Sequence, residues 1–203
     1  MIYFPKKIFE KIKVYSFYLI NKNSREFFFV LICRKILKLF TKNREKFSKT
    51  FILKWCERKT ISDQNFYRKI NLKEPKNFFE DKKSFYLQAK LKEQNLKYRM
   101  GGKAHLNLIY NLIKFLSPKK ILETGIAFGW STLVFILSKS KQASLTSIDL
   151  NYPVVSSEKF VAMALPNNFK KKYKLLVGID NNFLKSFKQD KIFFDFIHYD
   201  SDK

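Results

Sequence analysis

Apolar and polar positions follow two different rhythms along this chain, and the change falls near residue 101. After it, Leu106, Ile109, Ile113 and Leu116 recur at helical spacing, and Ser117-Pro118 closes that stripe. Short apolar runs then follow at 121–122, 145–148, 175–177 and 192–197, each too short to be a buried helix. Helical segments are expected between the first three runs, near 131–138 and 156–165. Such alternation predicts βαβ units: an α/β fold with a Rossmann-like, doubly wound parallel sheet. Four strands are expected. Right-handed crossovers then bring the carboxyl ends of the strands to one edge, where a ligand is expected.

Ahead of residue 101 the pattern differs. Ile8, Ile12, Tyr15 and Leu19 keep helical spacing, and residues 27–40 place apolar Ile36, Leu37, Leu39 and Phe40 around Arg34, Lys35 and Lys38. Residues 61–100 are more polar, with Pro75 as a break, aromatic pairs at 78–79 and 85–86, and one helix expected near 84–98. The expected organisation is therefore a basic amphipathic helical region over 1–60, a connecting region over 61–100, and the sheet domain over 101–203.

Charge sharpens this division. Residues 1–120 hold 30 Lys and Arg against 9 Asp and Glu, whereas residues 121–203 hold 11 against 8. A basic first half fits a polyanion or an anionic membrane face, and equally a solvated lysine-rich exterior. Its apolar stripe either packs on the main domain, the favoured reading, or makes peripheral contact with a membrane. Hydrophobic content of 46% excludes a wholly disordered chain. Cys33 and Cys56 have no metal-type spacing and read as reduced thiols; no secretory signal is visible, so the cytoplasm is expected.

The richest chemistry lies at the expected strand ends. The first run ends at Glu123 and passes into a loop bracketed by Gly125 and Gly129, with a helix beginning near Ser131. A strand-to-helix turn of this kind leaves N–H groups free at the helix start, and its glycines let a ligand approach the backbone. The second run ends on Asp149, 24 residues after Gly125, the placement of an acid that accepts hydrogen bonds from ribose hydroxyls. The third runs through Gly178 to Asp180, and the fourth to Asp200. A plain turn former or helix cap is the alternative role for such an acid, most of all for Asp180. Asp195, inside the fourth run, reads as partly buried and structural, and His198 as a satisfied structural histidine.

The order Glu-x-Gly-x-x-x-Gly-x-Ser at 123–131, Ser-Ile-Asp at 147–149 and Asp-Phe-Ile-His-Tyr-Asp-Ser-Asp-Lys at 195–203 resembles the class I S-adenosylmethionine-dependent methyltransferases. Within that superfamily it looks like the bacterial small-molecule group, and it is similar to the catechol and caffeoyl-CoA O-methyltransferases, which carry Asp-Ala-Asp-Lys at the last position. The Gly101-Gly102 pair and the helix at 106–116 match the same group. The resemblance covers roughly residues 100–203.

It implies S-adenosylmethionine as cofactor and a small-molecule acceptor, methylated at an oxygen of a sugar or related metabolite. It implies that Glu123, Gly125, Ala127, Gly129 and Ser131 line the cofactor, that Asp149 holds its ribose and that Asp180 lies near its adenine. Ala127 stands where the commonest loop has a glycine. Asp200 would face the transferred methyl as catalytic acid or as a ligand for Mg²⁺. The family sheet has seven strands in the order 3-2-1-4-5-7-6, which implies the order 3-2-1-4 for the four present, so the chain is expected to be a fragment, with Phe194, Phe196 and Ile197 poorly covered on the last strand. The alternative from another class is a basic protein that binds nucleic acid or a membrane surface and carries a non-catalytic Rossmann-like domain; nucleic acid is the less favoured partner.

Overall fold

A computed structural model describes residues 15–16, 19–20, 28–29, 32–33, 36, 54, 56–96, 103–150 and 157–200. The chain divides into two compact units, Tyr18–Pro75 and, grouped with Met1–Phe17, Lys76–Lys203. Most of the expected basic helical region, and the Gly101-Gly102 pair, lie outside the described residues. Among the described residues no helix is long and apolar enough to cross a membrane.

In the smaller unit, α1 spans Asp63–Lys69. Ser62 caps it by accepting from the Asn65 N–H, Asp63 sits in its first turn and Arg68 and Lys69 in its last, all matching the helix dipole.

The larger unit contains the rest: α2 (Phe78–Asp81), α3 (Lys83–Gln94), α4 (Leu106–Leu116), β1 (Lys120–Thr124), α5 (Trp130–Ser138), β2 (Ser144–Asp149), β3 (Lys174–Val177), α6 (Asp180–Gln189) and β4 (Phe196–Tyr199). The region 61–100, read as connecting sequence with one helix, thus holds three. The strands form one sheet in the order β3-β2-β1-β4, and every neighbouring pair is parallel, as expected.

Central position explains the sequence of β1. Ile121, Leu122, Glu123 and Thr124 are all buried, as a strand covered on both faces must be. Ile121 and Glu123 share a face with Leu145 and Ser147 of β2 and with Phe196 and His198 of β4. On that face lies α5, whose residues Trp130 to Ile136 are all buried, so it is apolar nearly all round. Behind it packs α4, through Ile109, Tyr110 and Ile113. Asn111 fastens the incoming chain to α4: its side-chain amide donates to the Lys76 carbonyl and its Oδ1 accepts from the Lys76 N–H at 2.8 Å.

Three departures from the sequence reading have physical causes. First, among the described residues of the segment 156–165 no α-helix forms. A 3₁₀ turn at Ser157–Phe160 leads into a strap whose Ala162 and Ala164 N–H groups donate to the carbonyls of Ala127 and Phe128. Those donors serve the glycine loop, so they are lost to a helix, and Ala162 adopts a left-handed φ of 58°. Second, α6 was not anticipated between β3 and β4. Its apolar positions, Phe183, Leu184 and Phe187, form a narrow stripe in a polar segment, and none is fully buried. Third, the fourth strand begins at Phe196, because Asp195 ends the preceding loop. Its Oδ2 accepts from the Lys119 and Lys120 N–H groups, both at 2.8 Å, and these contacts hold its carboxyl below the usual range. Asp195 is structural but exposed, a correction to the partly buried placement expected for it.

At β4, Ile197 is 57% exposed and Phe196 is half-buried, as is Phe194 just before the strand; Leu175 and Val177 of the other edge strand, β3, are exposed too. Cys33 and Cys56 are free and exposed.

Candidate active site

The carboxyl ends of β1, β2 and β4 meet at one edge. Thr124 pairs with Ile148 on one side and Tyr199 on the other. One residue further on, the Gly125 N–H donates to the Ile148 carbonyl and the Asp200 N–H to the Thr124 carbonyl. Asp149 and Asp200 therefore flank the point where the chain leaves β1 for its glycine loop.

That loop is built on backbone conformations ordinary side chains avoid. Gly125, Ala127 and Gly129 have φ of 79°, 48° and 96°. The two outer positions suit glycine. Ala127 accepts a left-handed conformation because its peptide is held on both sides: its N–H donates to Asp149 Oδ2 at 2.6 Å, and its carbonyl accepts from the Ala162 N–H at 3.0 Å.

Gly129 serves packing rather than a ligand. A Cβ built there would lie 2.9 Å from the Ala162 Cα, so the strap backbone occupies the space that the missing side chain leaves. The Gly129 N–H is also spent, on the Ile126 carbonyl at 2.8 Å. The amides of residues 125, 127 and 129 thus all have internal partners. Substituting Gly129 with alanine combines left-handed strain with a backbone clash. A loss of about 2 kcal/mol or more is expected in urea unfolding, and a variant as stable as the parent would contradict this packing.

Glu123 proves to be a buried hub rather than a lining residue. It is 0% exposed, and its carboxyl accepts from Ser131 Oγ at 2.5 Å, Thr132 Oγ1 at 2.8 Å and Ser147 Oγ at 2.8 Å. Burial pushes its pKa up to about 7 against the pull of those three hydroxyls. Ser131 is consumed by the same contact and is 6% exposed. Sequence reasoning missed Thr132 and Ser147, although small hydroxyl residues facing an acid across two neighbouring segments were readable once the strand register was known.

Asp149 is half-buried at the end of β2. Burial raises its carboxyl to about 6, opposed by backbone hydrogen bonds from Ala127, Ile126 and Leu150. These amides orient the group at the edge of the sheet, beside the loop.

The remaining acids differ from one another. Asp180 opens α6 at the end of β3, following Gly178. One of its oxygens accepts from the Asn181 N–H at 2.7 Å, while Oδ2 is buried with no hydrogen-bond partner among the described residues. Asp200 is exposed. His198 Nε2 is likewise buried and unpartnered among the described residues, so this histidine is not the satisfied one expected; burial lowers its pKa, and its ring packs edge-on against Phe135. Among the described residues no group of three His, Cys, Asp or Glu forms a metal site. Asp200 alone does not make one.

Fold and site together define a Rossmann-like α/β protein with the strand order and glycine loop of the class I methyltransferases. The O-methyltransferase family model matches residues 81–203, more than half of the chain, and the chain belongs to that family. No curated protein matches it. Among solved structures it is similar to the O-methyltransferase of Bacillus cereus in complex with SAH (18% identity, 70% of this chain and 60% of that one, TM-score 0.47). It is also similar to a SAH-bound methyltransferase of Podospora anserina (20%, 58% and 49%, 0.45) and to a SAM-bound O-methyltransferase of Streptomyces achromogenes involved in tomaymycin synthesis (18%, 59% and 54%, 0.43). The chain spans about half to three-fifths of the length of these proteins.

Proposed function

We propose that this protein binds S-adenosylmethionine along the carboxyl edge of its sheet and serves methyl transfer to an oxygen of a small-molecule acceptor, a sugar or related metabolite. The observation that carries this reading is the pairing of Asp149 with Ala127. A half-buried carboxylate, held by loop amides where the glycine turn leaves β1, is a preorganised acceptor for vicinal hydroxyls.

The residues divide the work. Asp149 accepts hydrogen bonds from the ribose. The loop 125–129 gives the adenosyl group a close backbone surface beside Gly125. Asp180, whose Oδ2 lacks a donor, receives one from the adenine end. Glu123 contacts none of the cofactor; by gripping Ser131, Thr132 and Ser147 it fixes the first turn of α5 against β2. Asp200, exposed at the end of β4, orients the acceptor hydroxyl. A sulfonium, when bound, supplies a methyl group already activated for transfer. The protein then needs only to align the acceptor and to receive a proton from it.

Isothermal titration with S-adenosylhomocysteine tests the assignment. Saturable binding with 1:1 stoichiometry is expected without added metal. A protein that folds cooperatively yet takes up none of the ligand would sink it.

A further inference from the structure

Beside the glycine loop, four side chains from three elements form a cluster to which the proposed chemistry assigns no task. Tyr86 and Glu93 come from α3, Lys103 from the segment leading into α4, and Trp130 from the first position of α5. The Lys103 ammonium lies 4.8 Å from the centre of the Trp130 ring and 5.2 Å from that of Tyr86. It is 3.7 Å from Glu93 Oε2 and donates to the Tyr86 hydroxyl at 3.4 Å. The other carboxylate oxygen of Glu93 accepts from Trp130 Nε1–H at 2.9 Å.

The cluster is closed: one cation faces two π-systems, and one carboxylate joins the cation to the indole N–H. Each contact fixes the plane of the Trp130 ring, which is almost wholly buried.

Trp130 directly follows Gly129, where the Ala162 backbone fills the space a side chain would take. Lys92, the neighbour of Glu93 on α3, donates to the carbonyls of Met163 and Leu165 at 3.2 and 2.9 Å, just beyond Ala162. Adjacent residues of one helix thus brace both supports of the loop: Lys92 holds the strap on one side, and Glu93 holds Trp130 on the other.

We propose that Lys103 is a positioning residue for the adenosyl site, a latch that ties the segment before α4 to the first turn of α5 through the Trp130 ring. The inference rests on the cofactor assignment above. Lys103 touches no reacting atom. Its charge holds the indole, the indole holds the downstream end of the loop, and the loop presents the Ala127 amide that orients Asp149. A neutral side chain of similar length keeps the packing of the stem but releases the ring.

The test uses the full chain carrying Trp55→Phe, so that Trp130 is the sole tryptophan, with Lys103→Met and Lys103→Arg added separately. Methionine at 103 is expected to shift Trp130 emission and to weaken S-adenosylhomocysteine binding about 10-fold, with arginine restoring most of both. A purely structural lysine would not give rescue that depends on charge. If Lys103→Met does not fold, Glu93→Gln, which weakens the hold on the same cation, is expected to change emission and affinity in the same direction. Unchanged emission in the methionine variant, or an arginine variant no better than methionine, would overturn the latch. Emission is read without ligand, so failure of the parent to bind S-adenosylhomocysteine would overturn the cofactor assignment separately.

Discussion

Glu123→Ala is expected to lose about 3–5 kcal/mol of folding stability at pH 5, close to the whole margin of many domains of this size. The side chain is fully buried and satisfies three hydroxyls at once. Removing it leaves Ser131, Thr132 and Ser147 facing a cavity. Glu123→Gln has the opposite consequence at alkaline pH. The carboxyl ionises near 4.5 when exposed and near 7 when folded, so the folded state keeps its proton longer. Below pH 4.5 the group is neutral in both states and its burial carries no charge penalty. As pH rises from 4.5 through 7, the unfolded chain ionises first and stability falls, by about 3 kcal/mol in total from a shift of this size. Glutamine removes that loss while keeping an acceptor oxygen for the hydroxyls. Parent and Glu123→Gln should therefore have similar stability near pH 4.5, and the variant should be about 2–3 kcal/mol more stable at pH 8. Urea unfolding at several pH values measures this directly; parallel curves for the two proteins would rule out a buried ionisable hub.

Asp149→Ala should lower the affinity for S-adenosylhomocysteine by about 100-fold, the value of charge-assisted hydrogen bonds to a ribose pair together with loss of the Ala127 anchor. The pH dependence gives a second check. Asp149 titrates near 6 in the free protein, so ligand hydroxyls meet a full carboxylate above that pH and a protonated carboxyl below it. Affinity in the parent should fall as the solution is acidified through pH 6. Asp149→Asn, which has no such titration, should bind weakly and with little pH dependence from this group. If the alanine variant binds as tightly as the parent, Asp149 is only a loop anchor.

Glu123 and Asp149 were both legible as acids at strand ends, yet their tasks were not separable from sequence. Both follow β-rich apolar runs, and both have small residues nearby. Register separates them: Glu123 is paired with Ser147 one step inside the sheet, whereas Asp149 stands at the rim, next to Ala127. The same holds for the two loop glycines. Each was read as a turn position where a ligand could approach the backbone, but only the strap shows that Gly129 makes room for the protein's own backbone. The Lys103 cluster had no sequence signature, because its members are drawn from positions 86, 93, 103 and 130.

Local composition determined what local interactions control. The alternation of apolar runs was enough for a parallel, doubly wound sheet, since short runs joined by crossovers have few ways to be buried, and the family resemblance supplied the order 3-2-1-4. Glycines at 125 and 129 likewise marked the strand-to-helix turn, because conformational freedom belongs to the residue itself. The tertiary structure decided which polar groups satisfy one another. It turned an expected helix at 156–165 into a strap, gave three loop amides internal partners and buried one acid while leaving another at the edge. Those outcomes depend on hydrogen bonds between residues distant in sequence, and such bonds exist only once the sheet has brought their partners together.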